Sequence, residues 1–336
     1  MDVFRALSCL AVIIIHTSAG PVSTLQAGSI HLFAMTLINS ITRFAVPGFI
    51  FLSGFSLTYV YQKKGVNESE KWARNFTKIL LPYLVWSLVY YFVCIRLGYY
   101  GFSWFFLLEK LVLGDMFYHL YFVVLICQFY LLFKVINWFF GKFKPEILLF
   151  IMFLINVIFM KKVYFKYIDR FFLQYLFFFG LGCYWALKRD EVKKRIIRIK
   201  NYLIGIYLTA VLYYTYRFYQ SYVLKLPVKN VNLLWFIFCT ISVLFFYYLS
   251  LWITEKGILV DLLQKISISS YHIYLSHPLV LLFSQLFLER LGYTSIMGSF
   301  LINTSIIFFI VVPFSIYYSK NKLIARYKNW FANLVL

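Results

Sequence analysis

Acidic side chains are scarce in this chain: 12 Asp and Glu stand against 33 Lys and Arg, and charged residues make up only 13% of its 336 positions. A soluble domain of that length needs a far more polar surface, so a water-soluble globular fold is excluded. Cysteine offers no framework either. Cys9, Cys94, Cys127, Cys183 and Cys239 all lie in or beside apolar segments, the count is odd, and no C-x-x-C pair occurs. The thiols therefore read as small packing residues rather than disulfides or metal ligands. Also missing is the alternation of apolar and polar residues that a membrane-spanning barrel strand requires; stretch 147–160 is apolar almost throughout. The formal charge of +21 would suggest nucleic acid in a soluble protein. Here no basic and aromatic platform stands outside the apolar segments, and nucleic-acid binding is set aside.

What is present is hydrophobicity, at 62% of residues, in runs that repeatedly reach spanning length. The chain reads as an all-α, polytopic transmembrane bundle forming one domain over 1–336, with no separate soluble domain. Ten spans are expected at 3–19, 34–61, 77–95, 118–137, 146–160, 170–187, 201–217, 231–252, 269–289 and 297–319. Tyr118, Trp138, Tyr202 and Trp252 fall near span ends, where interfacial anchors belong. The second span is long and the fifth short, which implies tilt or a half-buried section.

The basic residues set the orientation. Connections 62–78, 138–146, 188–200, 253–268 and 320–336 hold 20 Lys and Arg, and those on the other side hold 8. The positive-inside rule then places both termini in the cytoplasm of a multi-pass cell-membrane protein. Basic connections such as 188–200 also meet anionic lipid headgroups and can hold phosphates. Ser18-Ala19-Gly20 offers small residues after a short apolar run, but His16 interrupts that run, so the first segment is read as retained. The outer connection 96–117 is rich in aromatics and reads as a partly inserted element lining a cleft.

The first span carries the clearest chemical signal. Arg5 and His16 are eleven residues apart, which returns a helix to nearly the same face about 16 Å further along. Ionisable groups at that depth are costly and mark a pathway or a site. An imidazole can take a proton from a hydroxyl near neutral pH, so His16 is the candidate general base. A guanidinium at the cytoplasmic mouth can pair with a phosphate-bearing donor, which is the role read for Arg5. Arg43, inside the second span and close to His16 in depth, is suited to negative charge developing on a reacting carbonyl. Ser53 and Gly54 permit close helix approach, while Pro47 and Pro82 loosen their helices. On the outer side His119, Glu109 and Asp115 are candidate acceptor-side groups. His277 stands mid-span before Pro278; His31 and His272 read as ordinary.

Several blocks together carry a family resemblance. Arg5 and His16 form R-x(10)-H in the first span. Arg43-Phe44-Ala45-Val46-Pro47-Gly48 leads to Ser53-Gly54, and a basic stretch holding Arg74 and Lys78 leads to Pro82-Tyr83. His119-Leu120-Tyr121-Phe122 and Ser270-Tyr271-His272-Ile273-Tyr274-Leu275-Ser276-His277-Pro278 follow in order. The chain resembles the acyltransferase-3 family of integral membrane acyltransferases, with Tyr121 replacing the usual tryptophan of the H-L-W-F element. The resemblance implies an acyltransferase for groups other than amino-acyl groups. The donor would be acetyl-coenzyme A or another acyl-coenzyme A, with no permanently bound cofactor and no metal. The acceptor would be a hydroxyl of an envelope glycan, a lipid-linked sugar or a small molecule, as in O-acetylation of polysaccharides. It assigns Arg5 to the donor side and His16 to catalysis; Arg74 and Lys78, in the basic stretch, are read as further candidate donor contacts. Membrane lipids and envelope-biosynthesis proteins are the expected partners. Some members are described as polysaccharide exporters, so export or flipping is the alternative activity.

Overall fold

The first helix, α1 (Asp2–Thr24), begins with an acidic residue against the positive end of its dipole and runs apolar almost to its C-terminus. The structure, a computed structural model, describes residues 1–64 and 69–320, the side chains of 64–75 excepted. Among the described residues all regular structure is helical. Seven stretches among the described residues are long and apolar enough to cross a membrane: 2–24, 30–63, 76–96, 121–142, 231–256, 260–290 and 296–320. The protein is therefore a polytopic, all-helical membrane protein.

The expected second span is two helices. α2 (Ile30–Thr42) ends at Arg43, and α3 (Ala45–Lys64) starts two residues later. Pro47 explains part of the break, since it has no N–H to offer the Arg43 carbonyl and is tolerated only in a first turn. Beyond α4 (Ser69–Arg96), the connection 97–120 contains a short helix, α5 (Trp104–Leu113). Ser103 caps it by accepting from the Phe106 N–H, and Gly114 closes it at φ 65°. Trp104, Phe105, Leu108 and Val112 are exposed on α5 while Leu107 is buried, an apolar stripe suited to the headgroup boundary.

α6 (Tyr121–Lys142) starts three residues later than expected, which leaves His119 in the turn before it. α7 (Pro145–Lys162) has 18 residues, with Glu146 in its first turn and two lysines in its last. The expected span 170–187 is instead two 3₁₀ turns, Ile168–Arg170 and Phe172–Gln174, followed by α8 (Leu176–Leu187). Twelve residues rise only about 18 Å, too little for the hydrocarbon layer. α9 (Arg189–Arg198) and α10 (Lys200–Phe218), which continues through a π turn to Val223, meet at a bend of 74°. α11 (Val231–Lys256), α12 (Val260–Arg290), α13 (Ile296–Ile306) and α14 (Val312–Lys320) complete the chain, the last two joined by a π turn at Ile307–Val311.

The chain forms two compact units. One contains residues 1–43 and 249–320; in it α1 packs against α2, α12 and α13. The other spans Phe44–Tyr248 and is organised on the pairing of α3 with α8. Glycine makes that pairing possible. A methyl at Gly54 would collide with the Phe179 carbonyl oxygen, and one at Gly182 with that of Phe51. Around this contact Phe129 stacks on Phe179 at 4.5 Å, and Phe51 meets Trp185 edge-on at 5.7 Å. Ser53 bonds its own helix at the Phe49 carbonyl.

Candidate functional site

In the first unit, α1 and α12 touch at three levels. Arg5 meets Ser267, Cys9 meets the Ser270 carbonyl, and His16 meets His277. The sequence separation is nearly constant, 262 at the first contact and 261 at the second, so the two helices run in the same direction. Small side chains at Ser267, Ser269 and Ser270, all buried, let α12 approach α1 closely.

At the deepest level the His16 and His277 rings lie 5.4 Å apart between centroids, tilted by 32°. His277 is fully buried, and its Nδ1–H donates to the Ile273 carbonyl at 2.9 Å. That bond assigns the tautomer of a neutral ring: Nε2 is the nitrogen with the lone pair. Pro278 deprives the Tyr274 carbonyl of its usual helical donor at the same turn. His16 is half-buried as a residue, and of the two rings it is His277 that is anchored to its own backbone.

Arg43 is held against the same turn of α1 through a residue that the motifs did not indicate. Asn39, buried on α2, accepts from Arg43 Nε at 3.2 Å and Nη2 at 3.0 Å through a single oxygen. Its Nδ2 donates to the Ile15 carbonyl at 3.2 Å and to Ser18 Oγ at 3.0 Å. Ile15 and Ser18 bracket His16 in sequence. The available signal was an amide placed four residues before an arginine in an apolar helix, a spacing at which side chains meet.

Arg5 is a shared cation at the start of α1. Its Nη1 donates to Asp2 Oδ1 at 3.1 Å and to Ser267 Oγ at 3.3 Å, and Ser267 Oγ donates in turn to Asp2 Oδ1 at 3.0 Å. The Arg5 side chain keeps 31% of its surface exposed, enough to meet an incoming anion. Arg5, His16 and Arg43 thus belong to one unit, together with His277 and Asn39.

The other candidates lie in the second unit or outside the description. Lys78 is exposed on α4, and the Arg74 side chain lies outside the described residues. Glu109 is exposed on α5. His119 is buried among aromatic rings, 5.3 Å from Tyr90 and 5.9 Å from Phe117. Asp115 belongs to an ion cluster, 2.6 Å from Lys110 Nζ and 3.2 Å from Arg170 Nη1. Arg170 also donates to the Leu113 carbonyl at 2.9 Å and lies over the Tyr167 ring at 4.9 Å. Partial burial works against the Asp115 carboxylate, but Lys110 and Arg170 outweigh it and hold its pKa below the ordinary 3.8. The bond to Asp115 raises the pKa of Lys110. Nearby, the Tyr83 hydroxyl donates to the Leu111 carbonyl and ties α4 to α5. Among the described residues no group of three or more His, Cys, Asp or Glu is placed to hold a metal ion.

A family model described as an acyltransferase domain, acyltransferase-3, matches residues 1–320. A protein of Staphylococcus aureus (strain Mu50 / ATCC 700699), named probable poly-beta-1,6-N-acetyl-D-glucosamine export protein, is 28% identical over 307 residues, covering 82% of this chain and 80% of its own length. No solved structure matches.

Proposed function

We infer, because the chain belongs to the acyltransferase-3 family, that it moves an acyl group, acetyl in the first instance, from an acyl-coenzyme A to a hydroxyl of an envelope glycan or lipid-linked sugar. The observation that supports this most directly is the His16 and His277 pair, with Arg43 tied through Asn39 to the turn that carries His16. His16 accepts the proton of the acceptor hydroxyl as its oxygen attacks the thioester carbonyl. The Arg43 guanidinium stabilises the oxyanion that forms. Collapse of the intermediate breaks the carbon–sulfur bond, and the leaving thiolate takes the proton from His16. The products are the ester and free coenzyme A. Arg5 meets a phosphate of the donor at the cytoplasmic mouth. In this reading both termini are cytoplasmic, and only the thioester arm of the donor enters the membrane.

The test is release of free thiol from acetyl-coenzyme A by the purified protein in lipid nanodiscs, with a hydroxyl-bearing oligosaccharide as acceptor. Acceptor-dependent release that disappears in His16→Ala supports the reading, and release unaffected by that substitution refutes it. The name of the Staphylococcus aureus relative favours a second reading, export of a polysaccharide. Acceptor crossing sealed vesicles without any donor, at the same rate in His16→Ala, would favour export instead.

A further inference from the structure

We propose that Asn39 is a positioning residue that sets the placement of Arg43 relative to His16. The meaning of this for catalysis rests on the acyl-transfer reading above; the clamp itself rests on geometry alone. A primary amide has two N–H donors and an oxygen with two lone pairs. In Asn39 every one of these is used. Both donors go to α1, at the Ile15 carbonyl and Ser18 Oγ, and the oxygen takes both arms of the Arg43 fork. The residue is 3% exposed, so water does not compete for these bonds.

The choice of side chain separates positioning from simple neutralisation. A membrane arginine that needed only its charge balanced would be served better by a carboxylate. Aspartate at this position would keep both bonds from Arg43 but offer no N–H to Ile15 or Ser18. Leucine would lose all four. Glutamine adds a methylene and displaces one end or the other. Only the asparagine amide holds the guanidinium at one end and the α1 turn at the other. Arg43 also stands at the two-residue interruption between α2 and α3, and there the amide links its guanidinium to α1.

The experiment has two arms, both on full-length protein in nanodiscs. The first measures acetyl-transfer kinetics. Asn39→Asp and Asn39→Ala should each lower kcat about 10- to 100-fold, as small misplacements do, with KM for acetyl-coenzyme A within twofold. Arg43→Lys should lower kcat as well, and adding Asn39→Ala to it should cost little more. Wild-type kcat in Asn39→Ala, or losses that multiply in the double variant, would overturn the proposal.

The second arm needs no activity. Phenylglyoxal modification of Arg43, followed by peptide mass spectrometry, should be severalfold faster in Asn39→Ala than in wild type. An unchanged rate overturns the clamp. If wild type shows no acetyl transfer, the functional reading fails while this arm still decides the clamp. Should Asn39→Ala not insert, Asn39→Ser, which leaves a shorter hydroxyl, takes its place in both arms.

Discussion

His277 donates its Nδ1–H to the Ile273 carbonyl and presents its ring to His16 at 5.4 Å. The two imidazoles belong to helices that run side by side in the same direction, and one of them is anchored by its own backbone. An anchored ring at that distance is expected to restrict the orientation of its neighbour. His277→Leu removes that restraint while leaving His16 in place. It should lower kcat by about tenfold, against a loss of about 10²- to 10⁴-fold for His16→Ala. His277→Asn, whose amide can still donate to Ile273, should fall between wild type and His277→Leu. Thiol release under saturating donor gives the ranking.

Arg5 is the expected contact for the donor. Arg5→Ala should raise KM for acetyl-coenzyme A roughly tenfold with the acceptor dependence unchanged, and Arg5→Lys should recover part of that loss. The geometry adds a second expectation. Asp2 competes for the same guanidinium, so Asp2→Asn should lower donor KM by about two- to fivefold at low salt, an effect the size of a surface ion pair. Added salt should erase the difference.

Gly182→Ala places a methyl against the Phe51 carbonyl, and backbone cannot yield there as a side chain would. The cost should be about 1–3 kcal/mol, visible as a lower thermal midpoint in detergent. Gly205→Ala, in α10 with open space around the new methyl, should be neutral or slightly stabilising. Equal midpoints for the two variants would contradict the tight α3–α8 contact.

Asp115 has a depressed pKa in the folded state, so its stabilising contribution is complete above the ordinary value of 3.8. It is lost as pH falls through the lower folded value. Asp115→Asn should therefore lower the midpoint at neutral pH by ~2–4 °C and converge on wild type under strongly acidic conditions. Parallel midpoint curves from pH 7 to pH 2 would show that the cluster with Lys110 and Arg170 contributes nothing.

Topology is open to direct labelling. In a background without the native cysteines, Lys194→Cys on α9 should react with impermeant thiol reagents only from the cytoplasmic face. Lys166→Cys, in the connection before α8, should react only from outside. Both positions are exposed, so access across the membrane is the only barrier. Labelling of Lys194→Cys in intact cells would reverse the orientation and the side from which the donor arrives.

Hydropathy alone determined that this chain is helical and crosses a membrane repeatedly, because a run of twenty apolar residues has few other stable forms. Helical periodicity likewise placed Arg5 and His16 on one face, since an α-helix has a single geometry over eleven residues. What these local rules could not reveal depends on residues far apart or on short interruptions. The break at Arg43 and Phe44 sits inside an unbroken apolar pattern, and hydropathy averages across it. The 12-residue α8 is buried on almost every side, so its composition looks like that of a spanning helix. His119 reads as an interfacial residue from its place near a span end, yet aromatic rings from α4 and its own turn enclose it.

The division is sharpest at the candidate site. That His16 is a titratable group on the Arg5 face follows from one helix. That its neighbour is His277, and that Asn39 ties its turn to Arg43, was decided by the packing of α1 against α12 and α2. Those partners lie 261 and 23 residues away, and no local rule of spacing reaches them. Tertiary structure decides such contacts because a buried polar group in an apolar medium must find its partner wherever packing places one.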